Sequence, residues 1–231
     1  MKIFALIGML AGGLAADGFA RATYNPDMTT LMMKSALVLA GKVKSVEPSG
    51  LTVELTYPTW TGVVFEWLKV EVEVLEPIKG AVKKGDTVRT LMLNTEANIN
   101  MAPGMVKPKV GQNYLLCLLP TEFEKVYAPL TAPFDDDNAV FILDPTYWRY
   151  NPKNYDKKYF AERYGAILPL MDEQGKLTVS GVKKFRKQYQ AEIATPALKN
   201  DLVYLRWKKE TNAGGWQWNA PVKSKGSSLL E

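Results

Sequence analysis

Apolar and polar side chains alternate with period two through much of the first two thirds of this chain. In Trp67-Leu68-Lys69-Val70-Glu71-Val72-Glu73-Val74-Leu75, apolar and charged residues recur at i, i+2 and i+4, which predicts a half-buried strand with Lys and Glu toward water. Leu51 to Tyr57 alternates in the same way, while Leu37 to Val46 opens as an apolar run and then alternates, with Pro48-Ser49-Gly50 as a turn between the two. Further strands are predicted at Thr87 to Leu93 and Asn113 to Leu119, each after a glycine turn, and at Ala139 to Leu143. Before them, Asp27 caps a short helix from Met28 to Lys34. Five or six strands without long intervening helices imply an antiparallel barrel or sandwich.

Three short pieces narrow this choice. Gly41-Lys42-Val43 lies on the first strand, Lys79-Gly80 follows the central one, and Gly111-Gln112-Asn113-Tyr114 precedes the last. In this order they resemble the netrin-like, or tissue-inhibitor-of-metalloproteinase-like, OB-fold domains of exported bacterial proteins, over roughly residues 29 to 143. The resemblance implies a fold and no chemistry; the amino-terminal cysteine with which eukaryotic inhibitors chelate a protease metal is missing here. The expected class is therefore mainly β: an OB-like closed or partly open antiparallel β-barrel with a short N-terminal helix and an α+β C-terminal extension. An immunoglobulin-like sandwich, with about seven strands at regular spacing and often a paired-cysteine core, fits less well.

The chain begins with Met1-Lys2, a 14-residue apolar run from Ile3 to Ala16, and Ala20-Arg21-Ala22 as a small-x-small cleavage site. This reads as a secretory signal peptide over 1–22. The run is shorter than the about 20 residues a bilayer span needs, so no transmembrane segment is expected in the mature chain. Residues 23–148 form the expected barrel domain, 149–210 a basic α+β extension packed on it, and 211–231 a flexible tail. The extension contains a helix over Tyr155 to Tyr164, a hairpin-like stretch from Ile167 to Val179, a helix capped by Ser180 running to about Ile193, and another over Ala197 to Lys209. The net charge of +5 conceals an asymmetry: residues 149–231 carry 16 Lys or Arg against 8 Asp or Glu, and residues 23–148 carry 11 against 15.

There is no histidine in the 231 residues and a single cysteine, Cys117. That excludes Ser-His triads, Cys-His dyads, histidine-bearing or multi-cysteine zinc sites and an internal disulfide. Cys117 sits in the apolar run Tyr114 to Leu119 and reads as a buried thiol. Paired carboxylates remain open to catalysis, but Glu71 and Glu73 read as the wet side of a strand, and no phosphate loop or nucleophile elbow occurs.

Four groups of residues are candidates for binding. Tyr57 and Trp60, in a loop between two strands, could stack on sugars or anchor a partner protein, and Trp148 could extend that surface or pack the extension onto the barrel. Lys183, Lys184, Arg186 and Lys187 on a basic helix could hold a polyanion, with a solvated helix face as the plainer reading. Asp135, Asp136 and Asp137 could offer oxygens to calcium, although consecutive carboxylates do not match a calcium loop and a polar turn accounts for them with less. No other cofactor is expected. These features point to an exported, non-catalytic binding protein of the periplasm or cell surface that recognises a partner protein or glycan. The alternatives are a carboxylate- or metal-dependent hydrolase, and binding of anionic lipid or polysaccharide through the basic part; nucleic acid is disfavoured because the barrel is the acidic half.

Overall fold

A computed structural model describes residues 26–57, 60–94, 107–130, 139–146, 165–197, 217–218 and 222–223, with backbone alone for 52–57, 60–65 and the last two pairs. Helix α1 (Met28–Lys34) starts as expected: the Asp27 carboxylate accepts from the Thr30 amide at 2.7 Å. Hydrogen bonds from the Thr30 side chain and amide hold that carboxyl below its ordinary value.

Five strands follow and close a barrel. They are β1 (Leu37–Tyr57), β2 (Trp60–Lys79), β3 (Thr87–Leu93), β4 (Asn113–Pro120) and β5 (Val126–Pro129). Strand β1 pairs with both β2 and β4, β2 with β3, β3 with β5, and β5 with β4. The order around the ring is β1-β2-β3-β5-β4, an OB-like barrel. The sequence predicts an antiparallel one, and every pairing in the ring is antiparallel except β3 with β5. A closed ring with an odd number of strands cannot alternate direction throughout, so one parallel pair is required. Strand β5 is the element the sequence does not announce: four residues, Val-Tyr-Ala-Pro, with no alternation to detect. A sixth strand, β6 (Val140–Ile142), pairs with β4 where Ala139 to Leu143 predicts one.

The expected turn at Pro48-Ser49-Gly50 is a bulge within one continuous strand. Pro48 lies opposite Leu68 and Thr52 opposite Glu66, so β1 absorbs two extra residues here. Gly50 takes φ 71°, and the Ser49 hydroxyl accepts from the Leu51 amide at 3.0 Å. Beyond the bulge the two strands run on as a hairpin, reaching Tyr57 opposite Trp60.

The sheet is buried on both faces. Leu37, Leu39, Val70, Val72, Val74, Met92, Tyr114, Leu116 and Leu118 fill the barrel interior. Val38, Ala40, Ile78, Leu115, Cys117, Leu119 and Phe141 point outward onto a second core with α1 and the C-terminal elements. This explains why β4 is an unbroken apolar run where β2 alternates: both sides of β4 leave water, while Glu71 and Glu73 stay partly exposed. Cys117 is buried as expected.

Each of the three short sequence pieces has a physical role. Strand β1 shifts register at Gly41, and a Cβ there would collide with the Val72 side chain and stand 2.9 Å from the Glu73 carbonyl oxygen. Gly80 has φ 96°, and a Cβ would lie 2.8 Å from the Ala36 oxygen. The Tyr114 hydroxyl donates to the Lys107 carbonyl at 2.9 Å, accepts from the Lys109 amide at 3.1 Å and meets Gln112 Oε1 at 3.1 Å, pinning the turn before β4.

In the extension, a 3-10 turn (Leu168–Leu170) leads into a tight loop closed by a Met171–Leu177 bridge. The Asp172 carboxylate accepts from the amides of Gln174 and Lys176, both at 2.9 Å. Helix α2 (Val179–Gln188) is capped by Thr178, whose Oγ1 accepts from the Gly181 amide at 3.1 Å, and not by Ser180. The single helix expected as far as Ile193 is broken at Tyr189, and α3 (Gln190–Ala194) follows. The helices expected over 155–164 and 197–209 fall almost wholly outside the described residues. Within the tail, β7 (Gln217–Trp218) and β8 (Val222–Lys223) pair with β1 beyond its bulge. Among the described residues, no helix is long and apolar enough to cross a membrane.

Lys79 ties these layers together. Its side chain is buried, and Nζ donates to the carbonyl oxygens of Met32 at 2.7 Å, Met33 at 2.9 Å and Glu192 at 3.3 Å. Two of these are orphan carbonyls of the last turn of α1, and the third, in α3, also accepts from the Thr195 amide at 3.2 Å, so one cation closes the end of α1 and ties it to α3. Burial lowers its pKa from the ordinary 10.5, against an opposing effect of Cys117.

Lys79→Met, which keeps the length of the side chain but leaves the Met32 and Met33 carbonyls unsatisfied, is expected to cost about 3 kcal/mol in denaturant unfolding. The native chain binds this proton less tightly than the unfolded chain. The burden of burying it is therefore present below the lowered native pKa and lifts as pH rises toward 10.5. The stability difference between wild type and Lys79→Met should accordingly widen between pH 7 and pH 10; a constant or narrowing difference would contradict this account.

Candidate functional site

The extension does not lie flush against the barrel. Between them is an open cleft of about 560 Å³, lined from the barrel by Leu75, Glu76, Lys84 and Asn113, and from the extension by Lys176, Leu177, Thr178, Val179, Val182, Lys183 and Arg186. Its size falls within the range of small-ligand and short-segment sites.

Local structure aims each side chain. Val179, Val182, Lys183 and Arg186 are spaced i, i+3, i+4 and i+7, and so share one face of α2. Lys176 follows the Asp172 turn, and Lys84 sits in the turn between β2 and β3, where the Gly85 amide donates to the Val74 carbonyl at 2.8 Å. Gly181 allows α2 to reach this position. A Cβ at that residue would overlap the Pro169 carbonyl and stand 2.6 Å from Thr178 Oγ1.

Among the described residues, four cations and one carboxylate line the cleft. Arg186 pairs with Glu76 at 2.7 Å and also donates to the Pro77 carbonyl, fixing α2 to the end of β2. Glu76 is thereby neutralised. No described carboxylate lies within ion-pair distance of Lys84, Lys176 or Lys183. The first turn of α2 adds the positive end of its dipole. The rest of the described lining is aliphatic apart from Asn113 and Thr178.

Of the residues singled out from sequence, Lys183 and Arg186 line the cleft. Lys184 and Lys187 are exposed on α2 but are not part of the lining, because a basic run on a helix points in several directions. Tyr57 and Trp60 are strand residues paired with each other, with residues 58 and 59 between them where a longer loop is expected; their side chains lie outside the described residues. Trp148 and Asp135, Asp136 and Asp137 also lie outside them. Among the described residues, no group of three or more acidic or cysteine side chains could hold a metal ion. Glu71 and Glu73 engage Arg89 at 3.9 Å and Lys44 at 3.1 Å on the barrel exterior. Sequence reasoning missed Lys84 and Lys176: each reads as an ordinary turn lysine, and only the docking of the extension brings them together.

Comparison with protein-family models, curated proteins and solved structures finds no match.

Gly181→Ala should displace α2 from the 3-10 turn and cost about 2 kcal/mol, as overpacking does. Denaturant midpoints would show it; a stability equal to wild type would mean that this close approach does not set the position of α2.

Proposed function

We propose that this is an exported, non-catalytic binding protein that receives an acidic partner in the cleft between barrel and extension. The observation that carries the reading is the unneutralised charge of Lys84, Lys176 and Lys183 around a concave, partly aliphatic surface whose one carboxylate is already paired. Three lysines held at the rim of an open cleft keep their hydration and attract anions at a distance.

A glycosidase needs two carboxyls facing each other across a cleft. Glu76 stands alone here and is tied to Arg186, which favours binding over hydrolysis. Export rests on the charged start, short apolar run and Ala20-Arg21-Ala22 site at the amino terminus.

The test is binding of fluorescent poly-L-glutamate to the purified chain at low salt. Replacing Lys84, Lys176 and Lys183 together with Ala should weaken it about tenfold, the sum of three exposed charge contacts, and raised salt should weaken wild-type binding. Lys184→Ala/Lys187→Ala should change little. Equal losses in the two variants would move binding to a diffuse basic surface and refute the cleft.

A further inference from the structure

We propose that the occupant of the cleft is an extended peptide segment of a partner protein in which carboxylate side chains alternate with aliphatic ones. This rests on the reading of the cleft as an acidic-partner site and specifies the partner's chemistry.

The first argument is the lining between the lysines. Leu75, Leu177, Val179 and Val182 supply the aliphatic part of the lining, and no aromatic side chain is among the described lining residues. Sugar rings are commonly held by stacking on Trp or Tyr, whereas aliphatic side chains pack on other aliphatic ones. Val179 is 87% exposed, although Val182 and Phe185 on the same helix are 6% and 3% exposed. A single exposed valine needs no explanation by itself. Here it stands in a concave surface beside three more aliphatic residues, where a bound side chain would cover it.

The second argument is the kind of cation offered. Arg186, the one described lining group able to grip a planar anion with two parallel bonds, is already engaged by Glu76 and Pro77. The available charges are lysines, which accept a carboxylate over a wide range of angles and so suit the side chains of a flexible segment. Asn113, also in the lining, carries an amide that can both donate to and accept from a peptide backbone. Lysines and aliphatic side chains together in one lining match a chain that presents carboxylate and aliphatic side chains in alternation.

The experiment compares three anions on the full chain at low salt: fluorescein-labelled (Glu-Leu)4, fluorescein-labelled (Glu-Ser)4 of equal charge, and tetragalacturonate as a competitor. The expected result is about tenfold tighter binding of (Glu-Leu)4 than of (Glu-Ser)4, the effect of covering one or two aliphatic side chains, with weak displacement by tetragalacturonate. Val179→Ser, at an exposed position that leaves the core intact, should narrow the ratio between the peptides to about threefold. Equal affinities for the two peptides, or a ratio that Val179→Ser does not change, overturn the aliphatic component while leaving an acidic partner in place. Displacement by tetragalacturonate stronger than by unlabelled (Glu-Leu)4 overturns the peptide in favour of a glycan. Failure of all three to bind removes the acidic-partner reading itself.

Discussion

The arrangement of layers depends on one buried cation. Lys79 stands at the end of β2, where the barrel stops and the helices begin, and its ammonium meets carbonyls of α1 and α3 with no carboxylate as partner. Helix ends leave carbonyls without intrahelical partners, and burying them unsatisfied is costly. A lysine here satisfies two of them in α1 and, through its bond to the Glu192 carbonyl, couples that helix to one more than 150 residues later. Gly80 completes the junction, since its left-handed backbone and missing Cβ let the chain pass against Ala36. The Lys79-Gly80 pair is thus a fastening between layers as well as the end of a strand.

That fastening works because the sheet has two apolar faces. A barrel of five strands encloses a small interior, here filled by Leu37, Leu39, Val70, Val72, Val74, Met92, Tyr114, Leu116 and Leu118. The outward faces of β4, β6 and the start of β1 are apolar like the inward ones and pack with α1, the 3-10 turn and α2. Burial outside the ring stabilises the same strands as burial inside it. The extension is therefore part of the folding unit, and removing it would expose a face of β4 that carries Leu115, Cys117 and Leu119.

Much of the barrel was legible because its signals are local. The cap at Asp27, the alternation around Val72 and the glycine turns before β3 and β4 each occupy a few consecutive residues, and each stands where the pattern places it. The errors share a different cause. Proline, serine and glycine at 48 to 50 mark a turn or a bulge equally well, and only the partner strand, which continues from Leu68 to Glu66 past the insertion, decides for a bulge. Strand β5 is too short to show a period, and its parallel pairing follows from closure of the ring, a property of no single segment. The cleft was half legible for the same reason: Lys183 and Arg186 stand out in a basic helix, whereas Lys84 and Lys176 acquire meaning only from residues far away in sequence.

The charge asymmetry between the two halves invites the idea that an acidic barrel and a basic extension attract one another. The contacts say otherwise. The junction is built from apolar side chains, the Lys79 hydrogen bonds and, among the described ion pairs, one that crosses from extension to barrel, Arg186 with Glu76. An exposed pair of this kind contributes about 1 kcal/mol at most, so electrostatic attraction is not what seats the extension. The remaining cations on the cleft face are then not consumed by folding. Lys84, Lys176 and Lys183 stand on separate segments and form no ion pair with a described carboxylate, so the fold uses their charge for no contact of its own.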